Sequence, residues 1–148
     1  MPDPVISSID KTRLEAGYLS VTELLEMAHQ NTFLDPFSIL ISRNVILGEG
    51  NTFHPNVLVS CRQGQCFIGS GNTFHAGTTV MVDAGGMVLM GSNCTLGPGG
   101  VLLLADQRNS RLVVEDAVRV LGGVSLSGSN VLQHGSEILP GDTAGAVL

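Results

Sequence analysis

The chain predicts an all-β fold of the parallel β-helix type, with three short strands to a coil and about five coils, and three observations predict it. The segment Gly48-Glu49-Gly50-Asn51-Thr52-Phe53-His54 returns 21 residues later as Gly69-Ser70-Gly71-Asn72-Thr73-Phe74-His75. Apolar residues recur every six positions: Ile41, Leu47, Phe53 and Val59, then Ile68, Phe74 and Val80, then Met90, Leu96 and Leu102, then Val114, Val120, Leu126, Leu132 and Ile138. From Met90 to Ile138 the phase is unbroken except at Arg108. A period of six fits neither a helical stripe near 3.6 nor a hairpin meander. The third observation is composition: 43% of the 148 residues are apolar, yet there are 19 glycines and no tryptophan. Such a chain suits a narrow coil with aliphatic residues inside and permissive backbone at its corners.

Residues 1–38 differ in kind from residues 39–148 and form an N-terminal extension to the repeat. Ser20-Val21-Thr22-Glu23 has the capping-box pattern, and Leu24, Leu25, Met27 and Ala28 follow before Asn31 and Asp35-Pro36. This predicts a short helix of about ten residues that caps the first coil, whose backbone would otherwise be an open sheet edge. In the coil, Leu47, Phe53, Ile68, Phe74, Leu96, Val120, Leu126 and Leu132 are expected to share one core. Val57, Val82, Val88, Val101 and Leu103 lie off that register and are expected to put apolar surface on the flat sides, which favours association with other chains. Asn51, Asn72 and Asn130 share one hexad position and are expected to stack as structural residues.

The coil register also shows where residues are inserted. Against a bare 18 residues per coil from Val114 to Leu132, the preceding intervals carry three, four and six extra residues, at Cys61–Cys66, Asp83–Met87 and Asp106–Arg111. All three fall on one side of the coil. They are read either as functional loops on a rigid scaffold or as longer strands with looser bends.

The net charge of −6, with seven basic residues and Lys11 the one lysine, argues against a nucleic-acid partner. Cys61, Cys66 and Cys94 form no CxxC pair and are expected to be reduced and buried. The sequence has no 18-residue apolar run and no secretory pattern at its start, so no membrane insertion and a soluble, cytoplasmic protein are expected.

The hexads opened by Leu47-Gly48, Ile68-Gly69 and Met90-Gly91 resemble those of the hexapeptide-repeat superfamily, over roughly residues 39–142. The resemblance implies left-handed coiling, against the usual right-handed crossover, and a homotrimer with active sites in the clefts between subunits. The superfamily includes acyltransferases, gamma-class carbonic anhydrases and non-catalytic assembly subunits. The three zinc-binding histidines of the gamma class would fall on Met81, Pro98 and Leu103, none of which binds zinc as imidazole does. Its Arg and Asp ahead of the preceding strand's Gly are replaced by Ser60 and Arg62, so no metal is expected. An acyltransferase would move an acyl group from coenzyme A to a small hydroxyl or amine acceptor. In this chain the resemblance gives His75 as the base, His54 in support, Asp83 to orient the ring, and Arg108 and Arg111 near the phosphates of coenzyme A. His134 is a weaker candidate, and His29 belongs to the capping helix. The superfamily's Asn-Pro-Ala-Lys run after the last coil is replaced by Leu139-Pro140-Gly141-Asp142. The alternative is a β-helix scaffold or assembly subunit that has lost the ancestral site.

Overall fold

The structure, a computed structural model, describes residues 3–141. It opens with helices α1 (Pro4–Glu15) and α2 (Val21–Glu26), and then winds into short strands. The first turn comprises β1 (Thr32–Phe33), β2 (Leu40–Ile41) and β3 (Ile46–Leu47). The second comprises β4 (Thr52–Phe53), β5 (Leu58–Cys61) and β6 (Gly64–Ile68), and the third β7 (Thr73–Phe74), β8 (Thr78–Val82) and β9 (Gly86–Met90). The fourth comprises β10 (Thr95–Leu96), β11 (Val101–Ala105) and β12 (Arg111–Val114). The fifth comprises β13 (Arg119–Val120), β14 (Ser125–Ser127) and β15 (Asn130–Leu132), and β16 (Glu137–Ile138) begins another.

Every third strand pairs in parallel, which gives three sheets. The first has order β1-β4-β7-β10-β13-β16, the second β14-β11-β8-β5-β2, and the third β15-β12-β9-β6-β3. This is a β-solenoid of about five turns. β1 already pairs with β4, so the coil starts inside the segment read as an extension.

Strand alternation decides the interior. In the first sheet the inward residues are Phe33, Phe53, Phe74, Leu96, Val120 and Ile138, in direct register. The Phe33 and Phe53 rings stack at 5.3 Å and those of Phe53 and Phe74 at 4.7 Å. Of the eight expected core residues, seven are buried, and Leu47 packs half-buried against them.

The expected apolar surface requires correction, because Val57, Val82, Val88, Val101 and Leu103 are all buried. The insertions lengthen the strands on either side of the edge between the second and third sheets. A five-residue strand places alternate side chains inward, so Val101, Leu103 and Ala105 all enter the core from β11. Leu102, expected inside, is half-exposed. From Leu96 to the inward Leu103 is seven residues, one more than a hexad, because the bend Gly97-Pro98-Gly99-Gly100 is longer by one. Apolar residues do reach the surface, but they are others: Ile46, Phe67, Leu89, Val113 and Val131 form one in-register column along the outside of the third sheet.

A buried amide column supports the bends. The Asn31 side-chain oxygen accepts from the Asn51 backbone N–H at 3.0 Å, Asn51 Oδ1 from the Asn72 N–H at 2.9 Å, and Asn72 Oδ1 from the Cys94 N–H at 2.8 Å. Their Nδ2 groups donate to the carbonyls of Gly48, Gly69 and Gly91. Asn130 is not in this column: it opens β15 in the third sheet and donates to Ser127 O. Within the column, Asn51 and Asn72 each follow a glycine and Asn31 follows Gln30. Gly48, Gly69 and Gly91 leave room for the next rung, since a Cβ at Gly48 would lie 2.6 Å from Gly69 O and one at Gly69 2.5 Å from Gly91 O.

The expected capping box on α2 is present, with Ser20 and Glu23 each bonding the other's backbone N–H, though the helix is six residues rather than about ten. α1 was not expected from the sequence; it starts at Asp3-Pro4, an N-cap followed by Pro at N1. Arg13 from α1 is buried and donates to the carbonyls of Pro36 and Ile39, which ties the helix to the first turn. Among the described residues, no helix is long and apolar enough to cross a membrane. The end of the chain from Asp142 lies outside the described residues.

Candidate functional site

Each copy of the Thr-Phe-His unit alternates out, in, out, so a buried phenylalanine forces its histidine to the surface. Backbone N–H groups of His54 and His75 donate to Phe74 O and Leu96 O, both at 2.9 Å, and lock the two residues into the rungs of the first sheet. The rings therefore lie one above the other, as expected, with centroids 4.6 Å apart and planes 31° apart. Both are half-buried. Burial pushes the His75 pKa down, and the neighbouring His54 adds to the effect. The same column holds Leu34 below and Gly97 above. No ring nitrogen of either histidine bonds to another described residue. The pair can accept protons or hydrogen bonds, or ligate a metal.

The other expected site residues lie elsewhere. Asp83 follows β8, whose five residues span about 16 Å, and its carboxylate accepts from the Ala84 N–H at 2.8 Å. The structure thus does not bring Asp83 to the His75 ring. Its charge acts instead on Cys61, whose pKa is raised first by burial and also by Asp83. Arg108 lies in the longest insertion and Arg111 opens β12; both are exposed and neither forms an ion pair with a described residue. The insertions do stack at one edge, since Gly85 N–H donates to Gln63 O and Met87 N–H to Ser110 O. That edge is separated from the histidine pair by the width of the second sheet. His29 and His134 are exposed, the latter with its N–H donating to Glu115.

The carbonic-anhydrase positions are equally dispersed, with Met81 exposed on the second sheet, Pro98 in a bend and Leu103 in the core. Among the described residues no three His, Cys, Asp or Glu side chains group as a metal site.

A cleft of about 750 Å³ opens where the end of α1 meets the first two turns, with Tyr18, Arg43, Asn44, Ser60, Cys61 and Arg62 in its wall. Tyr18 bridges antiparallel to Ser42, and Arg43 N–H donates to Gly17 O at 3.0 Å, so the linker between helices is stitched to the edge of β2. Arg43 pairs with Glu23, whereas Arg62 forms no ion pair with a described residue. Asn44 Nδ2 donates to Cys61 Sγ at 3.6 Å. The thiols are poor nucleophiles, because burial raises all three pKa values and pushes Cys66 to about 12. This cleft had no signal in the sequence beyond the insertion at Cys61–Cys66, since its wall comes from three segments that only the winding brings together.

No family model, no curated protein and no solved structure matches this chain.

Proposed function

We propose that this chain is a non-catalytic β-solenoid scaffold that assembles with copies of itself, and that its hexads make it a left-handed member of the hexapeptide-repeat superfamily. The observation that carries the reading is the uncharged column Ile46, Phe67, Leu89, Val113 and Val131, which repeats on every turn of the third sheet. Ile46 alone is 59% exposed. The second sheet adds Leu40, Leu58, Met81, Leu102 and Leu104 on its outside, interspersed with Thr79, Ser125 and Ser127, whereas the first presents Thr32, Thr52, Thr73, Thr95, Arg119 and Glu137. Two apolar faces meeting at one edge suit a heterologous contact, and a homotrimer is the smallest ring such a contact closes.

Sedimentation of the wild type against Phe67→Glu with Leu89→Glu tests this. Trimer is expected for the wild type and monomer for the variant, with the circular dichroism of both alike. Wild-type monomer at micromolar concentration refutes the proposal.

A second reading, acyl transfer from coenzyme A to a small acceptor, draws support from one observation: the lowered pKa of His75 keeps its imidazole neutral and available as a base near neutral pH. It requires a neighbouring subunit to bring Arg108 or Arg111 toward His75. Calorimetry with coenzyme A separates the readings, since the scaffold predicts no binding at millimolar ligand.

A further inference from the structure

We propose that His54 and His75 form a two-histidine site for a borderline divalent transition-metal ion of the zinc, copper or nickel class. Imidazole is a preferred ligand for these ions. The two imidazoles are neighbours on adjacent rungs, with centroids 4.6 Å apart and planes 31° from parallel. A small rotation about the side-chain bonds brings one nitrogen from each ring to cis positions around a single ion. Ligand–metal bonds of about 2.0–2.1 Å require such nitrogens to sit closer together than the ring centroids do.

Three further features fit a metal better than a simple ring stack. The ring nitrogens have no partner among the described residues, so none must be displaced from a protein hydrogen bond. The backbones beneath the rings are fixed by ladder bonds on a rigid sheet, and Phe53 and Phe74, stacked at 4.7 Å, lock the residues from the other side. Such rigid elements hold ligands more accurately than loops do. The rung above carries Gly97, whose absent side chain leaves the upper ring uncovered, so water completes the coordination. The buried cysteines, with Cys66 raised to about 12, do not compete.

The site is independent of the scaffold reading, because both ligands belong to one chain. Its test is calorimetry of the chelator-treated full chain with Zn²⁺. One ion per chain is expected, and His54→Ala and His75→Ala should each weaken binding on the order of tenfold or more. His29→Ala and His134→Ala should leave it unchanged. As a second measurement, electron paramagnetic resonance of the Cu²⁺-loaded chain should show coupling to two imidazole nitrogens in the wild type and one in His54→Gln. No wild-type binding at millimolar Zn²⁺, binding that survives in the His54→Ala His75→Ala double variant, or coupling to one nitrogen in the wild type overturns the proposal.

Discussion

The first three turns and the last two use the same winding but different means of holding it. In the first three, Asn31, Asn51 and Asn72 stack at one bend and Phe33, Phe53 and Phe74 stack beside them in the core. From the fourth turn onward the aromatic column becomes Leu96, Val120 and Ile138. The amide column becomes Cys94 and then Val118, at the equivalent rung positions. Cys94 retains the donor half of the asparagine pattern: its thiol donates to Glu115 O at 3.0 Å. The comparison shows a graded side-chain ladder, amide at Asn51 and Asn72, thiol at Cys94 and none at Val118, while the backbone rungs continue unchanged. A weak thiol suffices where the fold is already propagated from below.

The largest effect should come from cutting the amide column. Asn51→Ala leaves the Asn72 N–H and the Gly69 carbonyl without their partner, and each such buried group costs about 1–3 kcal/mol, while the Asn31 oxygen keeps the Asn51 backbone N–H and loses only the side-chain donor. A loss on the order of 3 kcal/mol is expected in denaturant unfolding. Cys94→Ala at the equivalent rung should cost less, because a thiol makes weaker hydrogen bonds; equal losses would remove the distinction between the two regions.

A smaller effect, of opposite sign, should appear at the corner above Cys94. Gly50, Gly71, Asn93, Ala117 and Gly135 occupy one bend column, all with positive φ, and Ala117 carries a Cβ there at φ 58°. Ala117→Gly should stabilise by about 0.5–1 kcal/mol, because relief of the left-handed strain outweighs the added freedom of the unfolded chain. Gly71→Ala in the earlier turns should destabilise. A destabilising Ala117→Gly in thermal melts would mean that Ala117 contributes packing the bend needs.

The smallest effect is pH dependence in the repeated turns. His75 has a folded pKa below its unfolded value, so below that unfolded value the unfolded chain binds more protons. Its contribution is fully present above the unfolded pKa near 6.5 and is lost as pH falls through the folded value. His75→Gln should flatten the fall in melting temperature on acidification between neutral pH and pH 5, whereas His134→Gln should not. A fall unchanged by His75→Gln would place the linkage elsewhere.

Most of the winding was legible because a buried position on every rung leaves an apolar residue at a fixed interval. Phe53, Phe74, Leu96 and Leu132 were found this way, and the His54–His75 stack followed from the duplicated Thr-Phe-His unit. The register failed where strand length changed. Leu102 and Leu103 exchanged places through one extra bend residue, and Val82, Val88 and Val101 entered a core widened by longer strands. Asn130 was misplaced because its strand belongs to another sheet, and Asn31 was missed because the first turn begins before the clear repeat. α1 lacks an apolar stripe, so its Asp3-Pro4 start was its one clear mark.

By itself the sequence determined that this chain winds in parallel, about five turns deep, with aliphatic and phenylalanine columns inside and one edge of insertions, because period and alternation are local properties of the chain. The tertiary structure alone decided what meets what. It set Asp83 and the arginines a sheet's width from His75, assembled the cleft at Tyr18, Arg43 and Arg62, and drew the outer column from Ile46 to Val131. Contacts across a solenoid depend on strand lengths and bend sizes accumulated over every preceding rung, and a single added residue shifts them all.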